Sequence, residues 1–401
     1  MNVWRNCRQL AVAALCVIAV VAGAQTTWYV AMTGVDSNDA GRGKSWELPF
    51  RTISNGVAKA LAGDTVMVSN GVYTNLTELI ISRDITLKSA NGAAVTVIDG
   101  NHPTITNRCM KISSLNAVVD GFTIYNGYAP IGLGGGVLID RGGTVVNCNI
   151  VSNKAGSGSG YGGGGVVIDA TGLVANCLIA WNTTPNPNTH GGGVTLKSGT
   201  TNALLLNCII AHNTASRNGA GIYFFGGIAR YCLVQHNRTG GGSGGGSFLF
   251  NAGLLENCTI VSNSCTNGHG GGVFMSSSSS GTGAVINCVV YSNVARSAAT
   301  ANIGISDGGV GVFSNSCYYP ELPADSQAVS GNNTTNNPLF VGFAEGNYRL
   351  RSGSPCVNTA MLQPWMPCSD QDGHTVPDRF SGLPDMGCYE LLRQGVMFRL
   401  K

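Results

Sequence analysis

The chain has 401 residues, of which 11% are charged and 58 are glycine, with a net charge of +3. That net charge is unremarkable, and no basic stripe points to nucleic acid. The glycine share is about twice the usual and the charged share about half, which suits a β solenoid whose outer faces carry neutral polar side chains.

Residues 1–24 read as a secretory signal peptide. Arg5 and Arg8 make a basic start, Leu10 to Val21 is apolar, and Ala22-Gly23-Ala24 is a small-residue cleavage site. The apolar run is too short for a membrane span, and no other run approaches that length. The expected location is secreted, or on the surface or outer membrane of a bacterium. Residues 25–63 hold an N-terminal strand and a helix. Phe50, Ile53, Val57 and Leu61 follow i, i+3, i+4 spacing, so 50–62 is expected to be amphipathic. Such a helix would cap the open end of a coil, where core and strand edge are otherwise exposed.

From 64 to 320 one phrase recurs: VVNCNIVSN, VANCLIAWN, LLNCIIAHN, ARYCLVQHN, LENCTIVSN and VINCVVYSN. Its cysteines are Cys148, Cys177, Cys208, Cys232, Cys258 and Cys288, 24 to 31 residues apart. A unit of this period buries its apolar face only by stacking on the next unit. With each Cys as position zero, +2 is always Ile or Val and −3 is also apolar. The chain must therefore bend between −3 and zero. The bend is expected at −1, which is Asn in five copies and Tyr231 in the other, because Asn tolerates the left-handed conformation. A second Asn column at +5 (Asn153, Asn182, Asn213, Asn237, Asn263, Asn293) is read as the next corner. A second phrase alternates with the first: GGGVLID (134–140), GGGVVID (163–169), GGGVTLK (191–197), GAGIYFF (219–225), GGGSFLF (244–250) and GGGVFMS (270–276). It gives a glycine corner and then a strand. The fold expected is all-β, a right-handed parallel β-helix with a short N-terminal capping helix and a small C-terminal capping module over 321–392. Residues 393–401 form a tail.

Of the 14 cysteines, the six in the column are expected to be buried thiols. In-register residues lie about 4.8 Å apart, whereas a disulfide needs Cβ atoms nearer 3.8 Å. Cys356, Cys368 and Cys388, outside the repeat, are the better disulfide candidates.

NCxIxxN alternating with GGGV resembles the repeat of the pectin-lyase-like superfamily and of polymorphic outer-membrane proteins. WYVAMTGVDSNDAGRGKSWELPFRTISNGVAKALAGDTVMVSNGVYT (28–74) resembles the leading segment of secreted bacterial β-helix proteins. NPLFVGFAEGNYRLRSGSPCVNTA (337–360) and DMGCYE (385–390) resemble the module that follows β-helices in surface proteins with interchangeable C-terminal anchors. The resemblance implies a fold. It implies no single activity, since the superfamily holds lyases, hydrolases, adhesins and non-enzymes.

In the GGGV strands two columns are expected to point outward. One is Leu138, Val167, Thr195, Tyr223, Phe248 and Phe274; the other is Asp140, Asp169, Lys197, Phe225, Phe250 and Ser276. Aromatic rings can stack on sugars, so Tyr223, Phe225, Phe248, Phe250 and Phe274 are candidate ligand contacts. Asp140 and Asp169 form a candidate acid–base pair, in which mutual repulsion would push one carboxyl towards protonation, with Lys197 a candidate base. The plain structural reading is favoured: Asp140 caps a turn, Lys197 neutralises Asp169, and a loop or a protein partner covers the aromatics. Asp370 and Asp372 are candidate calcium ligands, or simply members of a polar turn. His212 and His236, with Trp181 one coil earlier, lack a third metal ligand. His190 and His269 read as turn residues. From Phe122 to Ser297 the only acidic residues are Asp140, Asp169 and Glu256, too few for an obvious catalytic cluster. The expected function is therefore an exported, monomeric, non-catalytic recognition or adhesion protein. Its partner would be a polysaccharide or cell-surface glycan, or else a protein, and no cofactor is expected beyond calcium. The alternative is a polysaccharide lyase or glycoside hydrolase.

Overall fold

A computed structural model describes residues 25–74, 76–156, 160–197, 203–276, 283–306, 311–318, 331–366 and 368–392. The signal-peptide segment 1–24, residues 321–330 of the expected C-terminal module and the tail 393–401 lie outside the described residues. The chain forms a right-handed parallel β-solenoid of about eight turns. In the coil that begins at Val137 the strands are Val137–Ile139, Thr144–Val146, Asn149–Val151 and Lys154–Ala155. Stacked over the coils, these positions build four parallel sheets, here I to IV in that order, of nine, eleven, ten and seven strands. Residues equivalent by repeat are in register. Ile150, Ile179, Ile210, Val234, Ile260 and Val290 pair in succession on sheet III, and all are fully buried. Each such side chain contributes roughly 1.5–3 kcal/mol.

The corner at −1 is left-handed throughout, with φ between 49° and 57° from Asn147 to Asn287. Tyr231 accepts φ 50° there, and its ring packs edge-on against Trp365 at 5.8 Å. The next corner differs from expectation. The left-handed residue is at +4: Ser152, Trp181, His212, His236, Ser262 and Ser292. The Asn at +5 has turned inside the coil and is buried in every copy. There it forms an amide ladder. Asn182 donates its backbone N–H and Nδ2 to Oδ1 of Asn213, which does the same to Asn237, and so on to Asn293 and Asn302. The side chains thus pair backbone groups that a bend would leave unsatisfied. The third glycine of each GGG phrase makes room for the ladder: a Cβ on Gly193 would lie 2.8 Å from Nδ2 of Asn213.

The cysteine column is internal, and all twelve described cysteines are free thiols. Backbone amides in the column donate to the sulfur of the next coil: Phe122 to Cys148 and Cys148 to Cys177, each at 3.4 Å. Ser316 takes the same place after Cys288, accepting at 3.0 Å. Each sulfur in turn donates to the carbonyl two residues before it, as Cys148 does to Val146 at 3.1 Å. The suggested disulfides among Cys356, Cys368 and Cys388 are not formed. Cys356 and Cys388 are instead buried in an apolar cluster with Tyr348, Leu350 and Met386.

The N-terminal helix is shorter than expected, Ile53–Lys59. Thr52 caps it by accepting from the N–H of Asn55. Ile53 is buried, but Leu61 lies beyond the helix and is 66% exposed. Gly56 lets the helix sit directly on the first sheet II strands, since a Cβ there would meet Val66 at 2.8 Å and Val30 at 2.9 Å.

Only the first part of the C-terminal segment extends the far end, where Thr334 bridges to Cys317. The rest turns back over the side of the solenoid. It carries two small antiparallel hairpins, Phe340–Gly342 with Asn347–Leu350 and Cys368–Ser369 with Thr375–Val376. Phe340, Tyr348, Leu350, Val376 and Met386 pack onto Leu233, Val261, Val289 and Cys317, the outward residues of sheet III. The reason is legible in those coils: their outward sheet III positions are apolar and need covering. Gln371 Nε2 reaches the carbonyls of Cys208 (3.0 Å) and Tyr231 (2.9 Å). Asn257 donates to the carbonyl of Asp385, and Asn287 exchanges bonds with Met361.

Candidate functional site

Sheet I brings the sequence candidates together. Asp140, Asp169, Lys197, Phe225 and Phe250 occupy successive rungs, each N–H bonding to the preceding coil: Asp140 to Ile112, Asp169 to Ile139, Lys197 to Ile168, Phe225 to Leu196 and Phe250 to Phe224. The carboxylates are not an open pair. Lys111 Nζ lies 2.9 Å from Asp140 Oδ2, and Lys197 Nζ lies 2.9 Å from Asp169 Oδ1. Two ion pairs therefore stand over four coils, with Lys111 reaching across from the neighbouring column, where it is in register with Leu138. Ser113 also donates to Asp140. The expected push towards protonation is reversed at Asp140: the Lys111 ammonium holds its carboxyl below the usual range, against a smaller opposing effect of burial. Lys111 was missed because its strand, Met110–Ile112, belongs to a coil that lacks the GGG phrase.

The aromatic columns divide into covered and uncovered rings. Tyr223 and Phe248 are buried, at 3% and 6% exposure. The glycine corners fold over this column, bringing Gly219 and Gly244 against Tyr223 and Phe248. Tyr161 and His190 lie over Tyr223 at 6.0 and 4.5 Å between ring centres. Burial, with Arg217 nearby, lowers the His190 pKa to about 4, and its Nδ1 accepts from the N–H of Asn218. It is thus a neutral lid at ordinary pH. Phe225, Phe250 and Phe274 stay half-buried. Phe225 stacks on Phe250 at 5.3 Å, and Phe248 on Phe274 at 5.2 Å. The rings left partly open on this face are Phe250, Phe274 and Phe225, the last one coil beyond Lys197 and met edge-on by Tyr161 at 5.7 Å.

Asp370 and Asp372 lie in the second C-terminal hairpin with His374, their ligand atoms all within 4.8 Å of one another. The protein already engages their oxygens. Asp370 Oδ1 accepts the N–H groups of Asp372 and His374, and Oδ2 accepts that of Glu390. Asp372 is held by Arg349 through two bonds of 2.5 and 2.6 Å. Calcium here would have to displace a guanidinium. Glu390 is buried beside Asp385 and Asp378, which raises its pKa to about 7, burial being the largest cause. His212 and His236 stack face to face at 5.0 Å, and Trp181 stacks on His212 at 5.4 Å. Parallel rings cannot aim their nitrogens at one ion.

Among the described residues no helix is long and apolar enough to cross a membrane. By sequence, no protein-family model and no curated protein matches the chain. By structure it is similar to pectate lyase Pel9A, with a TM-score of 0.62 and 15% identity over 92% of this chain and 97% of that one. It is also similar to XylC, solved in complex with xylose (TM-score 0.47, 12% identity, 92% and 99% covered), and to a rhamnogalacturonan lyase (0.40, 13%, 84% and 97%). At these identities the likeness is one of architecture, and the chain has the parallel β-helix fold of the pectin-lyase-like proteins.

Proposed function

We propose that the protein is exported and binds a polysaccharide or cell-surface glycan on sheet I without cleaving it. The observation that carries this reading is the pairing of both candidate carboxylates with lysines at 2.9 Å. A carboxylate paired with an ammonium is held ionised, which makes it a poor general acid and a weaker base. The row still offers charge and hydrogen-bonding groups, and Phe225 and Phe250 add an apolar ledge next to it. A solved protein of the same fold with TM-score above 0.5 is a pectate lyase, so a polysaccharide is the ligand class with most support.

A second reading, a polysaccharide lyase or glycoside hydrolase, draws on the same row, because two carboxylates and two lysines share one face within four coils. The two are separated by combining a binding assay with a turnover assay. Glycan-array binding by the wild type should be lost in a folded Phe225→Ala, Phe250→Ala, Phe274→Ala variant. No new reducing ends or unsaturated uronides should form on pectins, alginate or chondroitin, with or without calcium. Turnover that disappears in Asp140→Asn or Asp169→Asn would replace binding with catalysis. Cell fractionation of the full-length chain tests export.

A further inference from the structure

A second groove lies on another face of the solenoid. It is about 770 Å³ and runs between the corner of sheets II and III and the turn of the second C-terminal hairpin. Asn149, Asn176, Leu178, Asn207 and Ile209 line one wall, and residues 369–373 the other. The hairpin overhangs the sheet here because Gln371 fastens it to the carbonyls of Cys208 and Tyr231.

The corner amides show what this wall can do. In later coils the same column holds the C-terminal segment, Asn257 through the carbonyl of Asp385 and Asn287 through both polar groups of Met361. In an earlier coil Asn147 donates to Asp120. Asn176 and Asn207 stand in equivalent left-handed positions, at φ 53° and 51°. Among the described residues their side chains have no hydrogen-bond partner, and Oδ1 of Asn207 is shielded from water without a donor. The groove therefore presents two unengaged amides, Asn176 exposed as donor and acceptor and Asn207 with its Oδ1 enclosed, above an apolar floor of Leu178 and Ile209.

Its lining carries no cation. Asp372 at the rim is neutralised by Arg349, and Asp370 keeps its charge, enclosed under backbone N–H groups. Three residues beyond Leu178, roughly 10 Å along the strand, Trp181 is 56% exposed. Amides, an apolar floor and a nearby open indole, with no lining cation and one enclosed carboxylate, match a chain of hydroxyls and C–H faces better than an anion.

We propose that this groove is a second binding site, taking an uncharged oligosaccharide segment. It is independent of the sheet I site. The test is electrophoresis of the full chain in gels containing galactomannan, xyloglucan or mixed-linkage β-glucan, with polygalacturonate and alginate as charged counterparts. At least one neutral polysaccharide should retard the wild type. Replacing both corners, Asn176→Gly with Asn207→Gly, removes the amides while keeping the left-handed backbone, and should weaken retardation about tenfold. Ser369→Trp, at an exposed strand position lining the groove, should block it by bulk. The sheet I variant lacking Phe225, Phe250 and Phe274 rings should bind the neutral polysaccharide unchanged. Melting temperature monitors folding; if the paired glycine variant is unstable, Ser369→Trp decides. The proposal is overturned if no neutral polysaccharide retards the wild type, if retardation survives the groove variants, if only the charged gels retard it, or if the sheet I variant alone abolishes it.

Discussion

Asn182 gives two donors to a single oxygen, the Oδ1 of Asn213, its backbone N–H at 2.9 Å and its Nδ2 at 3.0 Å. Asn213 repeats the arrangement with Asn237 while also donating to the carbonyl of Ile179. Every rung is fully enclosed, so no water can substitute. Asn213→Ala is predicted to cost about 3 kcal/mol or more in urea unfolding, since it strands buried donors. Asn213→Asp should be worse at neutral pH, because it sets an oxygen against the carbonyl of Ile179 and the Oδ1 of Asn237, and should recover partly in acid. Gly193→Ala should cost roughly 1–3 kcal/mol by crowding the same amide. An effect at Asn213 no larger than at the surface corner Asn207 would contradict the ladder.

The cysteine column makes a chemical prediction. Denatured, unreduced protein should titrate with at least six free thiols, and the native protein should react slowly, since Cys148 to Cys288 are all buried. Cys148→Ser keeps an acceptor for the amide of Phe122 and should be tolerated better than Cys148→Val, which strands that amide at a cost of about 1–3 kcal/mol. Ser316 already plays the part of that serine one coil after Cys288. Equal losses for the two substitutions would show that the sulfur acts only as a space-filling group.

How much of this was legible before the structure depends on repetition. The Cys and Ile columns, the left-handed corner at −1 and the glycine corner recur six times, so their phase could be read directly. The second corner was misplaced by one residue because its occupant varies: Ser, Trp and His share the left-handed +4 position, while the invariant Asn beside it is internal. A constant residue marks a constant environment, here an amide ladder, and not a bend. The sheet I row could be written down from the GGGV strands, but its charge state could not, because Lys111 comes from an irregular coil. The lateral course of the C-terminal segment could have been suspected from Leu233, Val261 and Val289, apolar where a free sheet face would be polar.

Lys111 also allows a test of the row itself. Lys111→Met should raise the carboxyl pKa of Asp140, because the ammonium is the largest cause of its depression. Carbon NMR titration of the side-chain carboxyl reads this directly. An unchanged midpoint would mean that Ser113 and Arg141, lesser contributors, suffice.

Glu390 sets a pH dependence of opposite sign to the usual acid effect. Its pKa is raised from 4.5 to about 7 by burial and by Asp385, so between these values the folded state holds more protons than the unfolded one. Stability should therefore fall as pH rises from about 4.5 to 7, by a few kcal/mol at most. Melting temperature across that window, with the Glu390 carboxyl followed by NMR, checks the sign. A flat profile with a Glu390 midpoint near 4.5 would refute it.

The fastening of Gln371 to Cys208 and Tyr231, residues 163 and 140 positions earlier, bears on how the molecule comes apart. A bare solenoid is nearly one-dimensional, and its coils can fray one at a time from either end. Here the segment after Thr334 is laid along the coils from Cys208 to Tyr318, binding them to one another through a common strap. Those coils should open as one cooperative block in hydrogen exchange, while the coils before Cys148, to which no described C-terminal residue is fastened, should exchange stepwise from the N-terminal end. The polypeptide is thus divided into a zipper and a buckle.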